Sequence, residues 1–382
     1  MMETIALHQG RTQANPDEVG FDSDVLRRLN GHYESLIGKE TIQGASYALS
    51  RYGKVFAHTA MGKLTHNENS PDLLPGSIRK TYSITKMVTA VAIMQLCERG
   101  AIYLHQPISS LLKQFDTPMH RNITIFHLLT HTSGLRADPG YYFEPHQLPW
   151  FEWAYRERKK IDPASDWIQL LLTGPVMAEP GKEWHYSTAG YAILGEIIAR
   201  VSGTAYHQYI EKEILSPLGM EHSFFHVPPE WRDETCVTGP WEEKRLSAAE
   251  FDSDEPPKAG NGLYSTLADL LRLGQMMLQG GTLDGVHIIS ARAVEMMTRN
   301  HLTGVRMQGW GSDEPDFRFG LGLSIDDFDL CSPGTFSHEG FGHSGLYVDP
   351  AEQLVFAFFV PSKRGYTAES VQVPKAIVWS GL

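Results

Sequence analysis

Strand-like runs sit at the two ends of this chain and helical patterns fill the middle, a distribution that restricts the fold more than any single motif does. Near the N-terminus, Ala45 to Ser50 and Val55 to Met61 flank the turn Arg51-Tyr52-Gly53-Lys54, which predicts a hairpin. Strand patterns return in Phe319 to Ile325, Ser344 to Val348 and Gln353 to Val360. An amphipathic helix is expected from Ser23 to Ile37, with Val25, Leu26, Leu29, Tyr33 and Leu36 on its apolar face. Further helices are expected over Ser83 to Glu98, Thr124 to His131, Pro163 to Leu172, Thr188 to Val201, Thr204 to Leu215, Thr266 to Leu278 and Ala291 to Thr298. A sheet built from such distant parts of one chain, carrying a helical insertion, predicts an α+β fold.

Composition removes several functions. The formal charge is −12, and phosphate binding needs a concentrated basic surface, so no nucleic-acid partner is expected. No segment approaches the roughly 18 apolar residues of a membrane span, so no membrane partner is expected either. Met1 to Asn15 is polar and lacks the apolar core of a secretory signal, which predicts a cytoplasmic protein. Cys97, Cys236 and Cys331 are too few and too scattered for a disulfide framework or a zinc cluster.

The chemistry begins at Ser83-Ile84-Thr85-Lys86. Its i, i+3 spacing puts serine and lysine on one helical face, with Cβ atoms about 5–6 Å apart. A lysine can take a serine proton only if desolvation or neighbouring cations lower its pKa. The apolar run Met87 to Ile93 buries the helix and Lys86 with it, while the helix N-terminus aims backbone N–H groups at developing negative charge. Two other segments join it: Tyr186-Ser187-Thr188, leading into a helix, and Gly342-His343-Ser344-Gly345, leading into a strand.

Together these residues resemble the serine beta-lactamase and penicillin-recognising hydrolase superfamily, in its class C-like branch of esterases, D-peptidases and beta-lactamases. Ile123 to Leu135 and Gly260 to Thr266, followed by Ala268-Asp269-Leu270, resemble two further segments of that branch, and all five occur in family order. The resemblance implies an antiparallel sheet flanked by helices from residues 1–90 and 251–382. It also implies a mostly helical domain over 91–250 and an active site in the cleft between. It implies Ser83 as the acylated nucleophile, Lys86 as its base or proton relay, and Tyr186 as a second proton-transfer group. The backbone N–H groups of Ser83 and Leu346 would form the oxyanion hole, with His343, Ser344, Gly345 and Thr188 contacting substrate. No metal or organic cofactor is required.

Two departures bear on substrate. Penicillin-active members usually carry Tyr-Ser-Asn and Lys-Thr-Gly, where this chain has Tyr186-Ser187-Thr188 and His343-Ser344-Gly345. Threonine lacks the amide donors of asparagine, and histidine lacks the permanent charge that suits a substrate carboxylate. The expectation is a serine hydrolase for small, fairly apolar esters, with Tyr142 and Trp150 of the aromatic stretch Arg136 to Asp162 walling its pocket. Two alternatives are an amide substrate, as in a D-amino-acid peptidase or weak beta-lactamase, and a non-catalytic binding module on the same fold.

Overall fold

The run Leu354–Phe359, LVFAFF, shows no polar alternation because both of its faces are covered. Val355, Ala357 and Phe359 face one apolar core; Leu354, Phe356 and Phe358 face another. The structure, a computed structural model, describes residues 5–135, 137–138, 166–174, 176–246, 255–307, 317–326, 330–362 and 367–382. Tyr142, Trp150 and most of the aromatic stretch lie outside the described residues.

In chain order the elements that matter here are β1 (Leu7–Gln9), α1 (Ser23–Gly38), β2 (Gly44–Arg51), β3 (Lys54–Gly62), β4 (Ile78–Lys80), α2 (Thr85–Glu98) and α3 (Ile125–Leu129). They continue with α4 (Thr188–Ser202), β5 (Thr235–Cys236), α5 (Pro240–Leu246), β6 (Tyr264–Ser265) and α6 (Leu267–Leu278). The last are β7 (Ser324–Ile325), β8 (Phe336–Gly340), β9 (Ser344–Asp349), β10 (Leu354–Phe359) and α7 (Ala368–Trp379). Seven strands form one sheet in the order β1-β3-β2-β10-β9-β8-β7, antiparallel at every pairing. N-terminal and C-terminal strands therefore meet at β2–β10, the α+β arrangement expected from the sequence. The hairpin turns through Tyr52 (φ 50°) and Gly53 (φ 77°), the positive-φ pair that matches strand twist.

α1 packs Val25, Leu29, Tyr33 and Leu36 onto one face of the sheet beside Val371, Val378 and Trp379 of α7. Asp22 caps α1 by accepting from the Asp24 N–H at 2.9 Å. α6 packs on the other face, and α2 and α4 share the apolar core on that side. α2 is buried on every side from Thr85 to Leu96 and mostly apolar, with Lys86 the one ionisable side chain taken in. It runs unbroken through residue 90, so the domain boundary expected there would cut an element.

Two expectations change. Phe319 to Ile325 contributes a strand only at Ser324–Ile325, because Gly322 (φ 76°) bends the chain against Ala90 and the Lys86 carbonyl. β8 was not anticipated, and it proves to border the site.

Gly274 of α6 shows how closely helix and sheet approach: a Cβ there would lie 2.4 Å from Val355 Cγ1 and 3.2 Å from Leu346 Cδ1. Alanine would gain about 1 kcal/mol of helix propensity, but overpacking costs typically about 1–3 kcal/mol. Gly274→Ala is expected to lower the urea midpoint of unfolding. An unchanged or raised midpoint would show that the helix can move away.

Candidate active site

Ser83 lies in a 3-10 turn, Tyr82–Ile84, that runs directly into α2. Tyr82 has φ 50°, a left-handed conformation costing an ordinary residue about 1–2 kcal/mol. Its surroundings hold it there. The Tyr82 hydroxyl donates to Glu242, which pairs with buried Arg79 at 3.5 Å, and Arg79 also donates to the Gly342 and Cys236 carbonyls at 3.3 Å each. On the other side, Thr81 N–H donates to the Leu263 carbonyl (2.8 Å) and Thr85 Oγ1 accepts from Leu263 N–H (3.1 Å). Ser83 is left partly exposed at the head of a buried helix.

Lys86 is fully buried, with Nζ 3.1 Å from Ser83 Oγ, 3.2 Å from Thr188 Oγ1 and 2.8 Å from the Gly260 carbonyl. Burial pulls its pKa down to about 7, opposed by the negative charge of Asp138. The Tyr186 ring centroid lies 4.6 Å from Nζ and that of Tyr191 5.5 Å. The sequence motifs Ser83–Lys86 and Tyr186–Thr188 thus converge on one amine. Gly260, from the fourth matched segment, joins them through its carbonyl.

Thr188 opens α4, where Ser187 caps the helix through Gly190 N–H at 3.3 Å. The free N–H of Thr188 goes to Asp138 Oδ1 at 2.8 Å, and its hydroxyl goes to Asp138 Oδ2. His131, in the second matched segment, packs its ring against Tyr186 at a tilt of 36°, with centroids 4.3 Å apart. It accepts the Ser187 N–H on Nδ1 at 3.1 Å, and burial keeps it neutral. His127 instead closes the α3 N-terminus with Thr124.

The third motif requires a correction. His343, Ser344, Gly345 and Leu346 were expected at the strand edge where substrate docks, but β9 is an interior strand. Leu346 is paired with His338 on one side and Ala357 on the other, so its N–H is not presented to a substrate. Ser344 Oγ donates to the Thr81 carbonyl at 2.8 Å, behind the turn that carries Ser83. A Cβ at Gly345 would strike the Phe358 ring at 2.4 Å, so this glycine makes room for packing. His343 turns the chain at φ 62°.

The strand that borders the site is β8. β7 covers it only at Phe336 and Ser337, so among the described residues no strand pairs with the outer edge of His338 to Gly340. A Cβ at Gly340 would lie 2.1 Å from the Thr81 carbonyl, which puts the end of β8 against the turn that carries Ser83. His338 is held near Lys86 and Tyr186, with its ring centroid 6.3 Å from that of Tyr186. Its Nδ1 lies 2.7 Å from the Glu339 carbonyl and must donate, leaving a lone pair on buried Nε2. Burial and the Lys86 charge pull its pKa down to about 3, so the ring is neutral.

A family model described as Beta-lactamase matches residues 29–372. The chain belongs to the Beta-lactamase family. It is therefore of the serine hydrolase type that includes beta-lactamases, penicillin-binding proteins and esterases. An uncharacterised protein of Mycobacterium tuberculosis is 29% identical over 73% of this chain and 76% of its own length. A Salmonella newport protein, provisionally named a D-alanyl-D-alanine carboxypeptidase, is 26% identical over 90% of this chain and 84% of its own. Among solved structures, EstCE1, a hydrolase with promiscuous acyltransferase activity, superposes with TM-score 0.73 at 19% identity, covering 93% of this chain and 98% of that one. A class C beta-lactamase gives 0.72 at 18%, covering 97% and 99%. These likenesses establish the beta-lactamase/transpeptidase-like fold.

In this member of the family a buried amine is held at a cost to stability, because among the described residues no carboxylate contacts it directly. Lys86→Met should leave the thermal midpoint unchanged or raise it, while slowing fluorophosphonate labelling of Ser83 by at least about a hundredfold. A collapse of the midpoint with labelling intact would contradict this account of Lys86.

Proposed function

We propose that this chain is a cytoplasmic serine hydrolase that cleaves small, fairly apolar carboxylic esters through an acyl-enzyme on Ser83. The observation that carries the proposal is the amine of Lys86, 3.1 Å from Ser83 Oγ and brought to about 7 by burial. An amine of that pKa is half neutral near pH 7 and can accept the serine proton as Oγ attacks the ester carbonyl. The resulting oxyanion would meet the N–H of Ser83 and that of Phe341, the first residue beyond the open edge of β8. Losing one such donor typically costs about 10²–10³ in turnover. Tyr186, packed against Lys86, would carry the proton to the departing alcohol; water then releases the acid by the same route reversed. Tyr142 and Trp150 belong to this reading as walls of the acyl pocket.

The preference for esters rests on charge. His338, at the open strand edge, is neutral, so this position offers a substrate carboxylate no cation. The Thr188 hydroxyl is engaged between Lys86 and Asp138 and has no amide donors to offer. A second reading, hydrolysis of D-amino-acid amides, is favoured by the name of the Salmonella relative.

p-Nitrophenyl acetate and butyrate should be hydrolysed faster than nitrocefin or a D-alanyl dipeptide, and Ser83→Ala should remove at least about a thousandfold of kcat/KM. Activity should be low in acid and rise through about pH 7 as Lys86 loses its proton. Equal ester rates for the two proteins would end the hydrolase assignment; faster dipeptide cleavage would replace ester with amide.

A further inference from the structure

The hydrogen bonds around Lys86 can be counted as donors and acceptors. The Gly260 carbonyl can only accept. The Thr188 hydroxyl could donate or accept, but its proton is committed to Asp138 Oδ2 while Oδ1 takes the Thr188 N–H at 2.8 Å. Ser83 Oγ is the third neighbour. A neutral amine has two N–H donors and one lone pair. With Gly260 and Thr188 both restricted to accepting, they take the two N–H groups, and the lone pair is left facing the Ser83 hydroxyl.

We propose that Asp138 is a positioning residue for Lys86: by holding the Thr188 hydroxyl proton, it directs the lone pair of the neutral amine at Ser83. The inference rests on the reading of Ser83 as nucleophile. As the Oγ–C bond forms, the serine proton passes to Nζ and the carbonyl π pair moves onto the oxyanion. The ammonium then has three N–H groups and three acceptors: the Gly260 carbonyl, Thr188 Oγ1 and the acylated Ser83 oxygen. No proton is lost and no neighbour must rotate. Without the carboxylate, the Thr188 hydroxyl can turn its proton onto the amine and occupy the lone pair that Ser83 needs. In this arrangement Thr188 serves Lys86 instead of contacting substrate, and the Thr188–Asp138 pair stands where penicillin-active members use asparagine.

Asp138 also carries charge. It is the carboxylate that opposes the desolvation of Lys86, so removing its charge moves the Lys86 titration to lower pH. Among the described residues, the other groups facing Lys86 are His131 beyond α3, Tyr186 and Tyr191 at α4, and His338 on β8. Burial keeps both histidines neutral, so neither produces an acid limb near neutrality.

The test is the rate of Ser83 labelling by a fluorophosphonate, followed by intact mass from pH 5 to 9. It compares the wild type with Asp138→Asn, Thr188→Val, Thr188→Ser and the Asp138→Asn/Thr188→Val double variant. Asp138→Asn is expected to slow the plateau rate about 10–100-fold and move the acid limb to lower pH. Thr188→Ser, which keeps the hydroxyl, should stay within about threefold of wild type. In the Thr188→Val background, Asp138→Asn should change the plateau less than about twofold, because the proton it controls is gone. A purely structural Asp138 would lower the thermal midpoint without moving the limb. Wild-type labelling rates and limb in Asp138→Asn, or losses that add independently in the double variant, overturn the proposal alone. Absence of labelling in the wild type would instead sink the assignment of Ser83 as nucleophile.

Discussion

An amine taken wholly out of water organises this molecule. Among the described residues Lys86 makes no direct ion pair; its three polar neighbours there are a carbonyl and two hydroxyls. Such burial is unfavourable, and it persists only because the groups around it are fixed by much larger interactions. α2 is buried along its length against the sheet and α4, so Lys86 cannot withdraw without moving a core helix. Gly260 is delivered by a segment tied through Leu263 to both sides of the turn that carries Ser83. Thr188 is delivered by the first turn of a capped helix. The same desolvation that costs stability brings the amine to about 7, the value a general base needs near neutral pH.

Part of the backbone strain among the described residues lies in the same place. Tyr82, His131 and His343 are non-glycine residues in left-handed conformation, at φ 50°, 58° and 62°. Each lies on a segment that packs against the site: one precedes Ser83, one packs its ring against Tyr186, and one turns β8 into β9. Left-handed backbone at such residues survives only where the surroundings over-determine it. For Tyr82 the surroundings are explicit. The ion pair of Arg79 with Glu242 is buried, and Glu242 accepts from the tyrosine hydroxyl while Arg79 donates to the Gly342 carbonyl within the β8–β9 turn. One charged pair thereby fixes both the turn before Ser83 and the loop after β8, the two backbone pieces whose separation determines what an oxyanion would meet.

What could be read in advance was local. Ser83 and Lys86 are three residues apart on a helix, and helical geometry alone brings them together. Tyr186 and Thr188 sit at a helix start, where capping chemistry is legible. The strands of both sheet halves showed as apolar runs. β8 did not, because Phe336-Ser337-His338-Glu339-Gly340 contains one large apolar residue and two ionisable ones. The sequence then offers two His-x-Gly triplets five residues apart, His338-Glu339-Gly340 and His343-Ser344-Gly345. Nothing within either triplet says which strand will lie at an edge. An open edge is a property of the neighbours, here the shortness of β7, and only the assembled sheet displays it. Asp138 was hidden for a similar reason: its partner Thr188 is fifty residues away, and its value lies in two hydrogen bonds that no spacing rule foretells.

The corrected edge changes the chemical argument about substrate. With His343 in that role, an environment could still have supplied charge by raising its pKa. His338 has no such freedom: it is buried, its Nδ1 proton is held by the Glu339 carbonyl, and the neighbouring Lys86 opposes a second proton. Its remaining nitrogen is an acceptor. A carboxylate brought there would meet a lone pair and an uncharged ring, on a chain whose formal charge is already −12. A neutral ester asks for none of the missing charge. Its carbonyl needs two N–H groups, its acyl carbon needs the Ser83 oxygen, and its alcohol needs one proton back. In the proposed ester reaction those requirements would fall to the turn that carries Ser83, the end of β8 and the Lys86–Tyr186 pair.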